Sequence, residues 1–404
     1  MPNGPPPFRL VKTKARRSRL LDLRDKVSRV LSNRLHTHFT DHSVFHSDRV
    51  AKLTQELAAP LRRKHELKED EAFVLYAAAY LHDIGMQNEN AGRTGMFGEW
   101  IRGAGQEWAR VPREEKLDLI RQHHHRISAD MVLASVNSGS PPIGYSLTEE
   151  DHPSKIAATC EAHGIDARCE RYRELTEADK RPTIRLRLLS ALLRLADILD
   201  EVHYRAFDEQ LRTLDPSLES RMHWWRLYYT RDVDVERDRN RVTVWFGFPE
   251  AERDEYTEIV IPLQMPAIEQ ELSCHREVLA ENGLSWHIGW QVERPAFSTL
   301  DTMPPEVKGL MLEEVARRRR LAAEKSRIDE TASTLPDDIP VKAEYYRWLA
   351  SLAFRAGYDV DGRKAGKAAM RLLQPGPARG SLEAELAEAQ LLAGTDLRQE
   401  GEES

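Results

Sequence analysis

The chain is short of cysteine, of long apolar runs and of net charge. Three cysteines, Cys160, Cys169 and Cys274, are scattered through 404 residues. They cannot build a disulfide framework, and their spacing fits no zinc knuckle. No apolar stretch approaches the ~18–20 residues that would cross a bilayer. The first residues, Met1 to Pro7, lack the apolar core of a signal peptide. A formal charge of −7 excludes a surface that is basic throughout and grips nucleic acid everywhere. Gly-rich phosphate loops and serine or cysteine nucleophile motifs are also missing; Cys160 sits on an apolar face and reads as core. Secreted mini-proteins, membrane proteins, rods and P-loop NTPases are thereby set aside. The expectation is a cytoplasmic protein.

What remains is ample for a folded core: 41% of the residues are hydrophobic and 31% charged, over a length that suits two or three domains. The charge is uneven. Residues 1–34 carry ten Lys and Arg against Asp22 and Asp25, so this arm is +8 and the rest of the chain −15. Leu20, Leu21, Leu23, Val27, Val30, Leu31 and Leu35 give the arm a helical period. It reads either as a helix packed on its own domain or another subunit, or as a basic arm for a phosphate-rich partner, the one place where nucleic acid could bind.

Helical periodicity then runs through about 42–59, 69–84, 113–136, 153–163 and 182–204. Residues 213–300 differ. Val242, Val244, Phe246 and Phe248 alternate with other residues, and Glu258–Leu263 is rich in β-formers, so strands are expected at both places. Trp224, Trp225, Trp245, Trp286 and Trp290 gather here, and Trp224-Trp225-Arg226 could stack on bases or simply pack a core. Helical patterns return at 304–330 and 340–373, before a Pro/Gly linker from Gln374 to Ser381. The expected divisions are a basic helical arm (1–34), a helical domain (35–212), an α+β accessory region (213–300), a helical C-terminal region (301–374) and a linker with a helical or frayed tail (375–404).

The sequence holds 15 histidines, and their helical faces are informative. His46 lies in line with Val50, Leu53 and Leu57; His82 with Leu75 and Ala78, beside Asp83. His124 shares a line with Leu117, Ile120, Ile127 and Met131. His163 follows Ile156 and Cys160, and Asp197 and Asp200 follow Leu186 and Leu193. Five helices thus put an imidazole or carboxylate on a core-facing stripe. Buried groups of this kind need partners, and a shared cation would serve them all. Nitrogen and carboxylate donors without thiolates suit Mn, Mg, Fe, Co, Ni or Zn, and such a site can activate water beside a phosphate. Within His123-His124-His125 only His124 falls on the apolar line; of its neighbours, one is expected to border the site and the other to be solvated. His42, one turn before His46, could support it, whereas His36 and His38 read as surface or loop residues.

The set His46…His82-Asp83…Asp197, in the strings HSDRV, YLHDIG and LLRLADILD, resembles the HD superfamily of metal-dependent phosphohydrolases. IRQHHHRIS, TCEAHG and LRLADILDEVHYR resemble its HD-CE branch, and the pattern is also similar to the dNTP triphosphohydrolases and the HD region of exopolyphosphatases. The resemblance covers about 41–211. It implies a mainly α fold with an HD-type helical bundle core, followed by a small β-containing region and C-terminal helices. It implies His46, His82, Asp83 and Asp197 as ligands of one divalent metal, with His124 and His163 available for a second. It implies His124, or His125 beside it, as the catalytic group, and Arg126 and Arg205 as phosphate contacts, with Arg121 and Arg93 behind them. The activity so implied is hydrolysis of a nucleotide, a deoxynucleoside triphosphate first, in a homo-oligomer that could also bind a nucleotide effector. A phosphodiesterase or alarmone hydrolase on the same metal is the alternative, and a nucleotide sensor without turnover is a further one.

Overall fold

The computed structural model describes residues 6–32, 40–61, 64–177, 183–206, 217–293, 300–334 and 346–348. The expectations for His36, His38, the linker and the tail lie outside them. The described residues are mainly helical, with one small sheet, and none of the helices is long and apolar enough to cross a membrane.

Helix α1 (Lys14–Leu31) buries Leu20, Leu23, Val27 and Leu31. Each such side chain contributes about 1.5–3 kcal/mol on leaving water. The helix packs on α3 (Glu69–Leu81) and α2 (Val44–Ala58). Several of its charges are spent locally: Arg16 pairs with Asp70, Arg19 with Asp151 and Lys12, just upstream, with Glu66. Arg24 grips Asp48 of α2 at 2.8 and 2.6 Å, and Tyr80 of α3 donates to the same carboxylate at 2.8 Å. The basic segment is therefore docked on the bundle.

The bundle continues through α4 (Gly95–Gly103), α5 (Arg113–Ala134), α6 (Pro153–His163), α7 (Glu170–Glu177) and α8 (Leu186–Leu199). Helix α2 packs on α3 and α8, and α6 lies against α3, α5 and α8. Of these, α6 spans the expected helix, while α2, α3, α5 and α8 match expected helices but end earlier; α4 and α7 were not expected. The helix expected over 69–84 stops at Leu81, so His82 is its last cap and Asp83 precedes a short 3-10 turn, Ile84–Gln87. The one expected over 182–204 stops at Leu199, followed by a 3-10 turn at His203–Arg205. Both departures release functional side chains from a helical face.

After α9 (Leu218–Tyr229) come β1 (Thr230–Glu236) and β2 (Arg241–Phe246), then α10 (Arg253–Glu281) and β3 (His287–Val292). The sheet order is β1-β2-β3, antiparallel then parallel, with Val242 opposite Val235 and Ile288. The alternation at Val242, Val244 and Phe246 is the β2 pattern, and all three are fully buried. Glu258–Leu263 is not a strand. It lies inside α10, a continuous helix containing Pro262 and Pro266. Ile259, Val260, Ile261 and Leu263 are all buried. A short apolar run bounded by prolines does not distinguish strand from buried helix, and here burial on several sides overrides β-propensity. Trp224 and Trp225 are buried, so this pair packs a core. Contacts divide the chain into compact units at 1–308 and 309–404. Helix α11 (Pro305–Thr334) begins in the first; within the second, Glu314 pairs with Arg317 and Arg318.

Candidate metal centre

The start of α2 is set by Ser43, whose hydroxyl accepts from Phe45 N and donates to Asp41 at 2.8 Å. One turn in, His46 is fully buried. Its Nδ1 donates to Asp200 at 2.7 Å, and Arg49, one turn further along α2, holds both oxygens of that carboxylate at 2.7 and 3.0 Å. Burial alone would raise the Asp200 carboxyl; Arg49 and His46 overcome it and hold the group below its ordinary range.

His82 sits where α3 ends, and its Nδ1 donates to Ala79 O at 3.1 Å. The chain turns at once, and Gly85 touches α5. A Cβ at Gly85 would lie 2.3 Å from His124 O, so no larger residue fits. Ser128 completes the clasp, donating to His82 O at 2.6 Å and accepting from Gly85 N at 2.9 Å. His124 stands one turn before Ser128 and donates from Nδ1 to Arg121 O at 2.6 Å. His163, the last residue of α6, donates from Nδ1 to Cys160 O at 2.5 Å.

All four imidazoles are thus anchored through Nδ1 by an acceptor that cannot donate. The tautomer of the neutral ring follows: with Nδ1 donating, Nε2 is the nitrogen that offers a lone pair once its proton has left. These four nitrogens converge on Asp83. Its Oδ2 lies 3.3 Å from His46 Nε2 and 3.2 Å from His82 Nε2. Its Oδ1 lies 3.3 Å from His124 Nε2 and 3.5 Å from His163 Nε2. Asp197 joins the first pair, with Oδ1 3.3 Å from His46 Nε2 and 3.6 Å from His82 Nε2. One carboxylate therefore faces two donor groups: His46, His82, Asp83 and Asp197, and Asp83, His124 and His163.

The donor set fits divalent metal. The paired Nε2 atoms face each other at 3.2 Å (His46 and His82) and 3.0 Å (His124 and His163). In the neutral rings two lone pairs cannot bond each other, but ligands about 2.1 Å from a common ion at right angles sit about 3 Å apart. The field is anionic as well. Burial disfavours charge on His82, yet Asp83 and Asp197 raise it to about 10. Burial and Arg205 likewise oppose charge on His46, but hydrogen bonds to Asp197, Asp200 and Asp83 raise it to about 9. Although burial works against them, Asp83 and Asp197 are held well below the carboxylate range by the surrounding imidazoles.

The structure brings together all six residues expected as ligands. His125 is placed differently from its neighbour: it is buried, with its ring against Gly164, where a Cβ would lie 2.4 Å from Nδ1. Burial lowers it to about 2, so it is neutral. His123, which could have been the solvated member of the triplet, packs against Trp100 and Phe97 at ring distances of 4.5 and 5.4 Å. Arg205 is buried and donates to Asp41 O at 3.2 Å and to His42 Nε2 at 3.1 Å. Despite burial, Asp197, Asp200 and Asp83 keep it charged. His42 therefore supports Arg205, anchored by its own bond to Thr40 O at 2.6 Å. Arg126 lies beside His123 and His125, with a buried Nε that has no hydrogen-bond partner among the described residues. Arg93 and Arg121 are exposed.

Asp200, Arg49 and Ser128 were not singled out as functional by the sequence. Asp200 had a signal, a second carboxylate on the core-facing stripe one turn from Asp197. Arg49 and Ser128 follow His46 and His124 by three and four residues, which only the fold makes meaningful.

A helical bundle that turns histidine nitrogens and aspartates inward in this order is the framework of an HD-type metal-dependent hydrolase. The HD-CE family's sequence model matches residues 36–274, more than half of the chain, and the protein belongs to that family. No curated protein and no solved structure matches it.

Proposed function

We propose that the protein is a two-metal phosphohydrolase acting on a nucleotide, with deoxynucleoside triphosphates the first substrates to test. The observation that carries this reading is Asp83, whose two oxygens each face a separate histidine pair. His46, His82, Asp83 and Asp197 would hold one ion, and Asp83, His124 and His163 the other. Bound metal supplies charge to polarise a phosphate and lowers the pKa of water.

The chain's own residues do the rest. Asp200 and the carbonyls of Ala79, Arg121 and Cys160 hold the imidazoles by Nδ1 and keep each Nε2 aimed inwards. Arg205 brings a fixed guanidinium beside the carboxylates, where it would meet a phosphate oxygen and steady negative charge as a bond breaks. Arg126 would offer a second contact. In this reading His124 is a ligand, and His125 is a neutral wall rather than the proton donor.

The same bridge favours a second reading, hydrolysis of a phosphodiester or of an alarmone. Both are tested by incubating the purified protein with Mn or Mg and a panel of dNTPs, NTPs, ppGpp and cyclic dinucleotides, with products resolved. Triphosphate release supports the first reading; a linear dinucleotide or pyrophosphate from ppGpp supports the second. Products that His82→Ala with Asp83→Ala leaves undiminished would remove the site assignment.

A further inference from the structure

Helix α6 ends at His163, so the carbonyls of its last turn lack the usual backbone N–H partners within the helix; Cys160 O takes the His163 ring, and Ala162 O accepts from Gly164 N and, at 3.4 Å, from Ile165 N. The common remedy is a left-handed glycine after the helix, but Gly164 has φ −97° and does not supply it. Instead one guanidinium reaches across from α8. Arg194 Nη1 donates to Ala162 O at 2.8 Å, to His163 O at 2.7 Å and also to Ile165 O. The rest of the guanidinium is taken by Glu271 of α10, through Nε at 2.5 Å and Nη2 at 3.1 Å. Glu271 is held in turn by His275 Nε2 at 2.8 Å. Tyr172 lies 5.7 Å from the guanidinium carbon. Both charged side chains are largely buried, 12% and 16% exposed.

The placement links the two donor groups. Arg194 precedes Asp197 by one turn of α8, so the helix that presents Asp197 to one group also grips the helix end that presents His163 to the other. The His163 ring is oriented from Nδ1 by Cys160 O, but its position depends on where the last turn of α6 lies. A ligand must be held to within about 0.5 Å, and an unclamped helix end frays.

We infer that Arg194 is a positioning residue that seats His163, and that Glu271 makes the second donor group depend on α10. The inference rests on the two-metal reading. The full chain is stripped of metal and titrated with Mn(II), free ion being read by its electron paramagnetic resonance signal. Wild type, His163→Ala, Arg194→Met, Arg194→Lys and Glu271→Gln are compared. Wild type takes up two ions, and His163→Ala loses one class of site. Arg194→Met weakens that same class at least tenfold while the other class stays within about twofold. Lysine, which cannot span three carbonyls and a carboxylate, restores it only in part, and Glu271→Gln weakens it less than Arg194→Met. A general loss of stability would not select one class. If both classes stay within twofold in Arg194→Met, or in Arg194→Lys and Glu271→Gln where the methionine variant does not fold, the inference is overturned and the two-metal reading stands. If wild type takes up fewer than two ions and His163→Ala is identical to it, the two-metal reading itself falls.

Discussion

At the scale of single residues, the centre depends on what lies behind each imidazole. Asp200 fixes His46 through Nδ1 and is itself fixed by Arg49. Asp200→Ala should leave His46 free to rotate and weaken metal binding about 10–100-fold, measured by competition with a chelating dye. An unchanged affinity would mean that the ligands orient themselves. Protonation follows the same logic. His82 and His46 are raised to about 10 and 9, so without an ion protons occupy the donor positions at neutral pH. Metal must displace them. Uptake at pH 7 should therefore release protons, and affinity should rise as pH climbs towards about 9, as read by calorimetry in buffers of different ionisation enthalpy. Affinity that is flat from pH 6 to 9 would contradict this. Most of these donor residues were legible in the sequence, because a histidine or aspartate on an apolar stripe needs a reason. His125 and Arg49 were less so: burial against Gly164 and pairing with Asp200 are tertiary facts that no spacing encodes.

At the scale of elements, short departures from helix do much of the work. The end of α3 at Leu81 lets His82 and Asp83 turn inwards, and Gly85 and Ser128 press that turn onto α5. Gly85→Ala should push the turn off His124 and reduce the affinity for metal more than it reduces helix content, as followed by circular dichroism beside metal titration. Helix α1 is joined by a different device, the Arg24–Asp48 pair with Tyr80. Removing Arg24 leaves a buried carboxylate short of its counter-charge, so Arg24→Ala should cost about 3 kcal/mol in urea unfolding. A cost near zero would mean that α1 is held by its leucines alone. Long amphipathic helices were readable because their period persists over several turns. The run from Glu258 to Leu263 was not, since six residues cannot separate a strand from a helix buried on several sides.

At the scale of the whole molecule, the family match runs to residue 274, through α9, β1, β2 and most of α10. Residues 213–274 of the region that the sequence set apart as an accessory thus share the family's pattern, and Arg194–Glu271 is one place where α10 meets the bundle. Burial would raise Glu271, but His275 and Arg194 bring it down to about 2 from an ordinary 4.5. A depressed carboxylate stabilises the fold fully above its unfolded value and loses that contribution as pH falls towards 2. The difference amounts to about 3 kcal/mol. Glu271→Gln should therefore lower stability at pH 7 and flatten its decline between pH 5 and 2, measured by urea unfolding across that range. The mild net acidity also takes on a clearer meaning, since Lys12, Arg16, Arg19 and Arg24 of the basic N-terminal segment are paired within the chain and the site concentrates carboxylates where cations would sit. The central claim is that one aspartate serves two ions. Anomalous diffraction at the manganese edge, from crystals grown with Mn(II), tests it most directly. Two peaks on either side of Asp83, one among His46, His82 and Asp197 and the other between His124 and His163, are the predicted result. A single peak, or peaks away from Asp83, would contradict it.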